Sequence, residues 1–268
     1  MPIRNLQDPQ YLSGQYRNAA NLDARIQLHQ RFSANKYGWM RWVFDQLQLP
    51  EQCHILELGC GTGELWSENL ERIPERWEIL LTDFTEGMLL DAERKLKSNP
   101  QFKYELVDAG TLPLPFENSS FDVIIANHML FHISDRATLF LEIQRVLKPG
   151  SRFYASTVGE NHMVEIAQMI MKFDSELADW GNVTDAFTLE NGAAQLSPWF
   201  NEIALHRYQD ALLVTEVDPL LDYILSGWIS LEADDMIRFT TFVENEMEAG
   251  GGVIRITKDS GIFESTRL

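Results

Sequence analysis

Residues 55–64 read Ile55-Leu56-Glu57-Leu58-Gly59-Cys60-Gly61-Thr62-Gly63-Glu64. A short apolar run with the pattern of a buried strand gives onto three glycines at alternate positions, and then onto a helical stretch. Glycines at such a turn accept positive φ and let a ligand lie against the backbone with no Cβ in the way. The start of the helix adds unpaired amide donors and a positive dipole end, which suit a carboxylate or a phosphate. The G-x-G-x-G spacing departs from the G-x-G-x-x-G of dinucleotide folds, and no phosphate-binding lysine follows the glycines. A nucleoside without phosphates therefore fits this turn better than ATP does.

Outward from the turn, residues 53–158 alternate strand-like and helix-like runs. CHILEL, WEILLTD, FKYELVD, FDVIIAN and RFYASTV read as strands. Glu64 to Arg72, GMLLDAERKLK and RATLFLEIQRVLK read as helices. Such alternation predicts a doubly wound, Rossmann-like, mostly parallel α/β sheet with helices on both faces, which binds ligands outside the carboxyl ends of its strands. Residues 51–158 are the expected core. Residues 1–50 read as an N-terminal helical cap, and residues 159–200 as a helical lid or acceptor segment. Residues 201–268 read as strands and helices completing the sheet. Within the last part, VIRITKDSGIFEST reads as two strands around a Lys258-Asp259-Ser260-Gly261 turn.

Two acids fall at strand tips. Asp83 ends the second strand, where it can accept from ribose hydroxyls or serve as the N-terminal acid of the next helix. Asp108 ends the third, where its carboxylate can accept from an adenine amino group while Ala109 lets the ring lie close; a solvated loop acid is the alternative.

The chain has 268 residues, 45% hydrophobic and 23% charged, the make-up of a globular chain rather than a disordered or fibrous one. Lys and Arg number 22 against 40 Asp and Glu, a net charge of −18. A surface of that sign lacks the cations whose counterion exchange drives binding to nucleic acid or anionic lipid, so neither nucleic acid nor membrane is an expected partner. The excess sits mainly in residues 159–268, with six basic and twenty acidic residues. Cys53 and Cys60 make neither a disulfide framework nor a zinc site, and no metal is expected. The N-terminus lacks a signal-peptide core and no run approaches about 18 apolar residues, so a cytoplasmic protein is expected.

Taken in order, ILELGCGTG, LTDFTEGML, VDAGTLPLPFENSSFDVIIAN and RVLKPGSRFYAST resemble the class I S-adenosylmethionine-dependent methyltransferases, in particular the branch with a methyltransferase type 11 domain. The resemblance spans roughly residues 52–158. It implies that Glu57, Gly59, Gly61 and Gly63 hold the methionine part of S-adenosyl-L-methionine. It further implies that Asp83 holds ribose, that Phe84 and Met88 line adenine, that Asp108 and Ala109 face adenine, and that Asn127 lies near the methionine amino group. Pro149-Gly150-Ser151 stands where the family reads Pro-Gly-Gly, a difference confined to a turn. The implied reaction is in-line methyl transfer from a sulfonium, in which the protein supplies position and a dry environment. The expected acceptor is a small molecule, a secondary metabolite methylated on nitrogen or oxygen. A macromolecular acceptor (tRNA or protein) on the same fold, or a catalytically silent cofactor-binding protein, are the alternatives.

The segment Asn127-His128-Met129-Leu130-Phe131-His132 sits beside the methyl group in that family. His128 is the candidate general base or acceptor-orienting group. His132 reads as structural, and His162 as a second group facing the same cavity. Tyr16 and Arg17, in an N-terminal segment that folds over the cofactor in such proteins, are candidates for its carboxylate. Trp39, Trp42 and Phe44 read as docking residues for the N-terminal helix; Trp180, Trp199 and Trp228 as candidate walls of an acceptor pocket.

Overall fold

The structure, a computed structural model, describes residues 27–97, 99–178 and 187–268. Among the described residues, seven strands form one sheet: β1 Cys53–Leu58, β2 Trp77–Asp83, β3 Phe102–Leu106, β4 Phe121–Asn127, β5 Leu147–Val158, β6 Phe200–Val214 and β7 Ile254–Arg267. Their order is β3-β2-β1-β4-β5-β7-β6. β1 to β5 are parallel, and β7 runs antiparallel between β5 and β6. This is the Rossmann-like, doubly wound sheet expected from the alternation. The order reverses beside β1, so the crevice at the switch point opens between the tips of β1 and β4.

The central strands are apolar on both faces because helices cover both. Leu56, Leu58 and Ile124 join one core cluster with Leu139, Phe140 and Ile143 of the helix Arg136–Val146. Ile55, Ile79 and Val123 join the other with Val43 and Phe44 of the helix Trp39–Gln46 and with Leu89 of the helix Glu86–Lys95. The Asp135 carboxylate caps the Arg136–Val146 helix by accepting from the Thr138 amide. Among the described residues, no helix is long and apolar enough to cross a membrane.

Two local expectations are corrected. The helix expected over Glu64 to Arg72 is a four-residue helix, Glu64–Ser67, followed by a 3-10 turn, Leu70–Arg72. Buried Asn69 intervenes: its side-chain Nδ2 donates to the Leu65 carbonyl at 2.8 Å, so the side chain takes the acceptor that the helix backbone would use. The second correction concerns Lys258-Asp259-Ser260-Gly261, which make no turn. They run through the middle of the continuous strand β7, paired with Asp210, Gln209, Tyr208 and Arg207 of β6. Gly261 is required there because a Cβ would lie 2.6 Å from the His206 carbonyl oxygen of the neighbouring strand.

β5 stops at Val158, opposite Ser260, while β7 begins at Ile254. The ribbon made by 254–259 of β7 and 209–214 of β6 therefore overhangs the carboxyl edge of the parallel sheet. Its apolar side, with Leu212, Val214 and Ile256, joins a third cluster. That cluster contains Leu28 and Phe32 of the helical stretch 27–32, Ile166 and Ile170 of the helix Val164–Phe173, and residues of the helices Val217–Leu225 and Ala233–Ala249.

Candidate functional site

The glycine turn follows β1 directly. Gly59, Gly61 and Gly63 have φ of 68°, 55° and 76°, the left-handed region that disfavours a Cβ. Their surroundings differ. A Cβ on Gly59 would lie 3.0 Å from the Cβ of Met129, and one on Gly63 would lie 3.2 Å from the Cβ of Ala92. A Cβ on Gly61 would meet nothing within 4 Å. Gly59 and Gly63 thus allow close packing, and Gly61 presents bare backbone to open space.

Asp83 ends β2 beside this turn and is 5% exposed. Its Oδ2 accepts from the Gly61 amide at 3.0 Å, and its Oδ1 accepts from the Thr85 amide (3.0 Å) and hydroxyl (2.9 Å). Burial is the leading influence on its pKa and raises it, against those hydrogen bonds. The Phe84 amide is a further donor to this carboxylate. Phe84 is 38% exposed, whereas Met88 is 1% exposed and faces inward from its helix. Asp108 is exposed, and its carboxylate closes its own turn by accepting from the Gly110 amide and the Thr111 hydroxyl, both at 2.8 Å. Ala109 is buried at 6%.

A hydrogen-bond chain crosses the tips of β1, β4 and β5. Buried Glu57 accepts from the Trp66 indole N–H at 2.5 Å and from Asn127 Nδ2 at 3.0 Å. The Ser156 hydroxyl donates to Asn127 Oδ1 at 3.1 Å, and the His128 amide donates to Ser156. Burial pushes the Glu57 carboxyl up to about 7, opposed by its two donors. Glu57 and Asn127, both carried over from the resemblance, are thereby brought into one network.

His128 follows with φ of 48°, unusual for a residue with a side chain. Its ring lies 5.1 Å from that of Trp39, which is 5.4 Å from the ring of Tyr208. Burial, then the Lys258 ammonium, lowers the His128 pKa to about 4; burial, then His128 and Lys258, lowers that of His162 to about 3. His29 is likewise pushed well below its usual value, first by burial. All three rings are thus neutral near pH 7. His162 comes to this cluster, its ring 6.5 Å from that of His29. Phe131 packs edge-on against His132 at 4.4 Å. Trp199 packs against the sheet core and Trp228 against the third cluster. Tyr16, Arg17 and Trp180 lie outside the described residues.

Three residues at this end of the sheet were not singled out for it. Lys258 and Asp210 form an ion pair at 2.7 Å with side chains 8% and 0% exposed. Trp39, read as a docking residue, lies against His128. The signal for the pair was present: a lysine and an aspartate, each interrupting the apolar pattern of a strand, point to each other when the strands are neighbours. Among the described residues, no group of three or more His, Cys, Asp or Glu side chains is placed to hold a metal.

A family model described as a methyltransferase domain matches residues 56–155. Over 98 residues the chain is 39% identical to a demethylmenaquinone methyltransferase of Lactococcus lactis, covering 37% of this chain and 39% of that one. The chain spans about half the length, or less, of the first curated relatives it matches. Among solved structures, the YcgJ protein of Bacillus subtilis superposes with a TM-score of 0.56 at 18% identity, covering 85% of this chain and 97% of that one. Phosphoethanolamine N-methyltransferase 2 of Haemonchus contortus, in complex with S-adenosyl-L-methionine, gives a TM-score of 0.58 at 17% identity, covering 99% of this chain and 60% of that one. The seven-stranded sheet agrees with the fold of these solved structures, and residues 56–155 match a methyltransferase domain.

Proposed function

We propose that this chain transfers the methyl group of S-adenosyl-L-methionine to a nitrogen or oxygen of a small molecule bound beside His128, a secondary metabolite being the class of acceptor favoured. The observation that carries the cofactor reading is the cradle at Gly61, open where a Cβ would stand and flanked by the Asp83 carboxylate. A ligand touching the backbone at that point, and offering a hydroxyl to the neighbouring carboxylate, fits it. Glu57 and Asn127 lie behind the same turn, Phe84 offers a half-exposed ring, and Ala109 leaves room beside Asp108. When bound, S-adenosylmethionine supplies an electrophilic methyl on a sulfonium.

The chain's own residues do the rest. The Glu57–Asn127–Ser156 chain fixes the backbone at His128. The neutral His128 ring offers a lone pair to a hydroxyl or amine. A ring held near pKa 4 is a weak base, so it orients an acceptor better than it deprotonates one. The negative net charge and the buried, unpaired cysteines support a small acceptor and a reducing, cytoplasmic setting. Calorimetric titration with S-adenosylhomocysteine tests the reading. Saturable one-site binding is expected, and no heat of binding at millimolar ligand overturns it.

A further inference from the structure

A second set of polar side chains converges beside His128. The overhanging ribbon carries Lys258 on β7 and, directly across on β6, Asp210. The Asp210 carboxylate is fully engaged: it accepts from the Ser33 hydroxyl, from the Asn35 amide at 2.8 Å and from Lys258. The ammonium is not, since it has three donors and Asp210 takes one. It lies 5.6 Å from the centre of the Tyr208 ring, which in turn packs against Trp39 and Trp42.

Three more polar atoms lie buried here without a hydrogen-bond partner, Trp39 Nε1, His29 Nδ1 and the Tyr208 hydroxyl. His162 Nδ1 accepts from the Asp259 amide at 3.2 Å, which assigns the proton of that neutral ring to Nε2 as a further donor. His29, Trp39, His128 and His162 each keep part of their surface accessible, although burial is strong enough to hold the three histidines neutral.

This end of the ribbon therefore offers one ammonium, an unused indole N–H, neutral imidazoles and flat aromatic rings, while the Asp210 carboxylate is spent. Its complement is a flat ring with an electron-rich oxygen. We propose that these side chains line the acceptor subsite and that it takes a planar aromatic or conjugated ring bearing a phenol- or enol-type hydroxyl, bound as the oxyanion by Lys258 and the Trp39 indole N–H. The proposal rests on the methyl-transfer reading above and chooses oxygen over nitrogen within it. An ammonium-bearing acceptor meets like charge at Lys258, whatever the acidic excess of residues 159–268. On binding, the hydroxyl proton passes to water. In the transfer, an oxygen lone pair forms the bond to the methyl carbon while the carbon–sulfur pair stays on sulfur, leaving a neutral methyl ether and a neutral thioether. The ether no longer carries the charge that Lys258 held, which favours release.

The test uses the full chain saturated with S-adenosylhomocysteine and 4-nitrophenol as the probe, because its phenolate absorbs visibly. Binding is expected to lower the apparent ionisation pH of the probe by at least one unit. Benzylamine and benzoate are not expected to displace it. Trp39→Phe, which leaves the ion pair intact, should weaken probe binding several-fold. Lys258→Met combined with Asp210→Asn, which strands no buried charge, should abolish the ionisation shift, and both variants should keep wild-type affinity for S-adenosylhomocysteine. Any of four results overturns the proposal: no probe binding, binding without the shift, a shift that survives in the folded double variant, or displacement by benzylamine or benzoate. Failure of S-adenosylhomocysteine itself to bind would instead strike the cofactor reading, so the two failures are separable.

Discussion

The backbone amide of His128 donates to both the carbonyl oxygen (3.2 Å) and the hydroxyl (3.1 Å) of Ser156. One residue of β5 thus pins the residue just past the tip of β4 in a left-handed conformation, φ 48°, that a side chain ordinarily avoids. Non-glycine residues held this way are found where the surrounding structure over-determines them.

That pinning separates the ring of His128 from its backbone. His128→Ala should lower turnover at least tenfold with the dissociation constant for S-adenosylhomocysteine nearly unchanged. His128→Gly should lose turnover equally and be more stable than His128→Ala by about 1 kcal/mol, because glycine takes the left-handed region without cost. Steady-state kinetics and urea unfolding check both. Since the ring titrates near 4 rather than 6.5, no His128-dependent acid limb should appear in the pH–rate profile around 6.5.

Asp83→Ala removes the acceptor of the Gly61 amide and the carboxylate beside the open cradle. Affinity for S-adenosylhomocysteine should fall at least tenfold, or about 1.4 kcal/mol. An unchanged dissociation constant by calorimetry contradicts the ribose assignment.

Glu57 gives a pH dependence of definite sign. Burial raises its folded-state pKa to about 7, above the ordinary 4.5 of a glutamate. The unfolded chain therefore loses this proton first as pH rises. The stability contributed by the protonated carboxyl is full below about 4.5 and lost by about 7, a change on the order of 3 kcal/mol. Glu57→Gln should remove that slope. The comparison is the difference between wild-type and variant unfolding free energies across the window, which cancels the general effect of net charge.

Gly261→Ala places a methyl group 2.6 Å from the His206 carbonyl oxygen, in a strand hydrogen-bonded on both sides. Neither backbone can yield without disturbing its own ladder. A loss of about 3 kcal/mol is expected in urea unfolding, at the upper end for overpacking.

The parallel half of the sheet was legible because its strands are buried on both faces and read as unbroken apolar runs, with Gly59-Cys60-Gly61-Thr62-Gly63 marking where they open. Asp83 was legible from its place at a strand tip. Asp108 stands at the next strand tip, and the local pattern carries no sign that its carboxylate also closes its own turn, with Gly110 and Thr111 as partners. β7 was misread because Lys-Asp-Ser-Gly has the composition of a turn, and what keeps it extended is pairing with a strand about fifty residues earlier. The Lys258–Asp210 pair escaped for the same reason. Each partner is locally an oddity in a strand, and only the sheet order makes them neighbours. Trp39 was credited with packing, which it does, but local spacing carries no sign that its indole N–H is left without an acceptor.

The position of β7 has a consequence for any shortening of this chain. Residues 56–155 end before the last two strands, so a fragment cut near that boundary looks like a self-contained unit. It would leave β5 with one flank unpaired, its row of amides and carbonyls bare to adhesion with other molecules. A trim of only the final fifteen residues would do comparable harm, stranding β6 with no neighbour while every glycine and acid of the family match stayed in place.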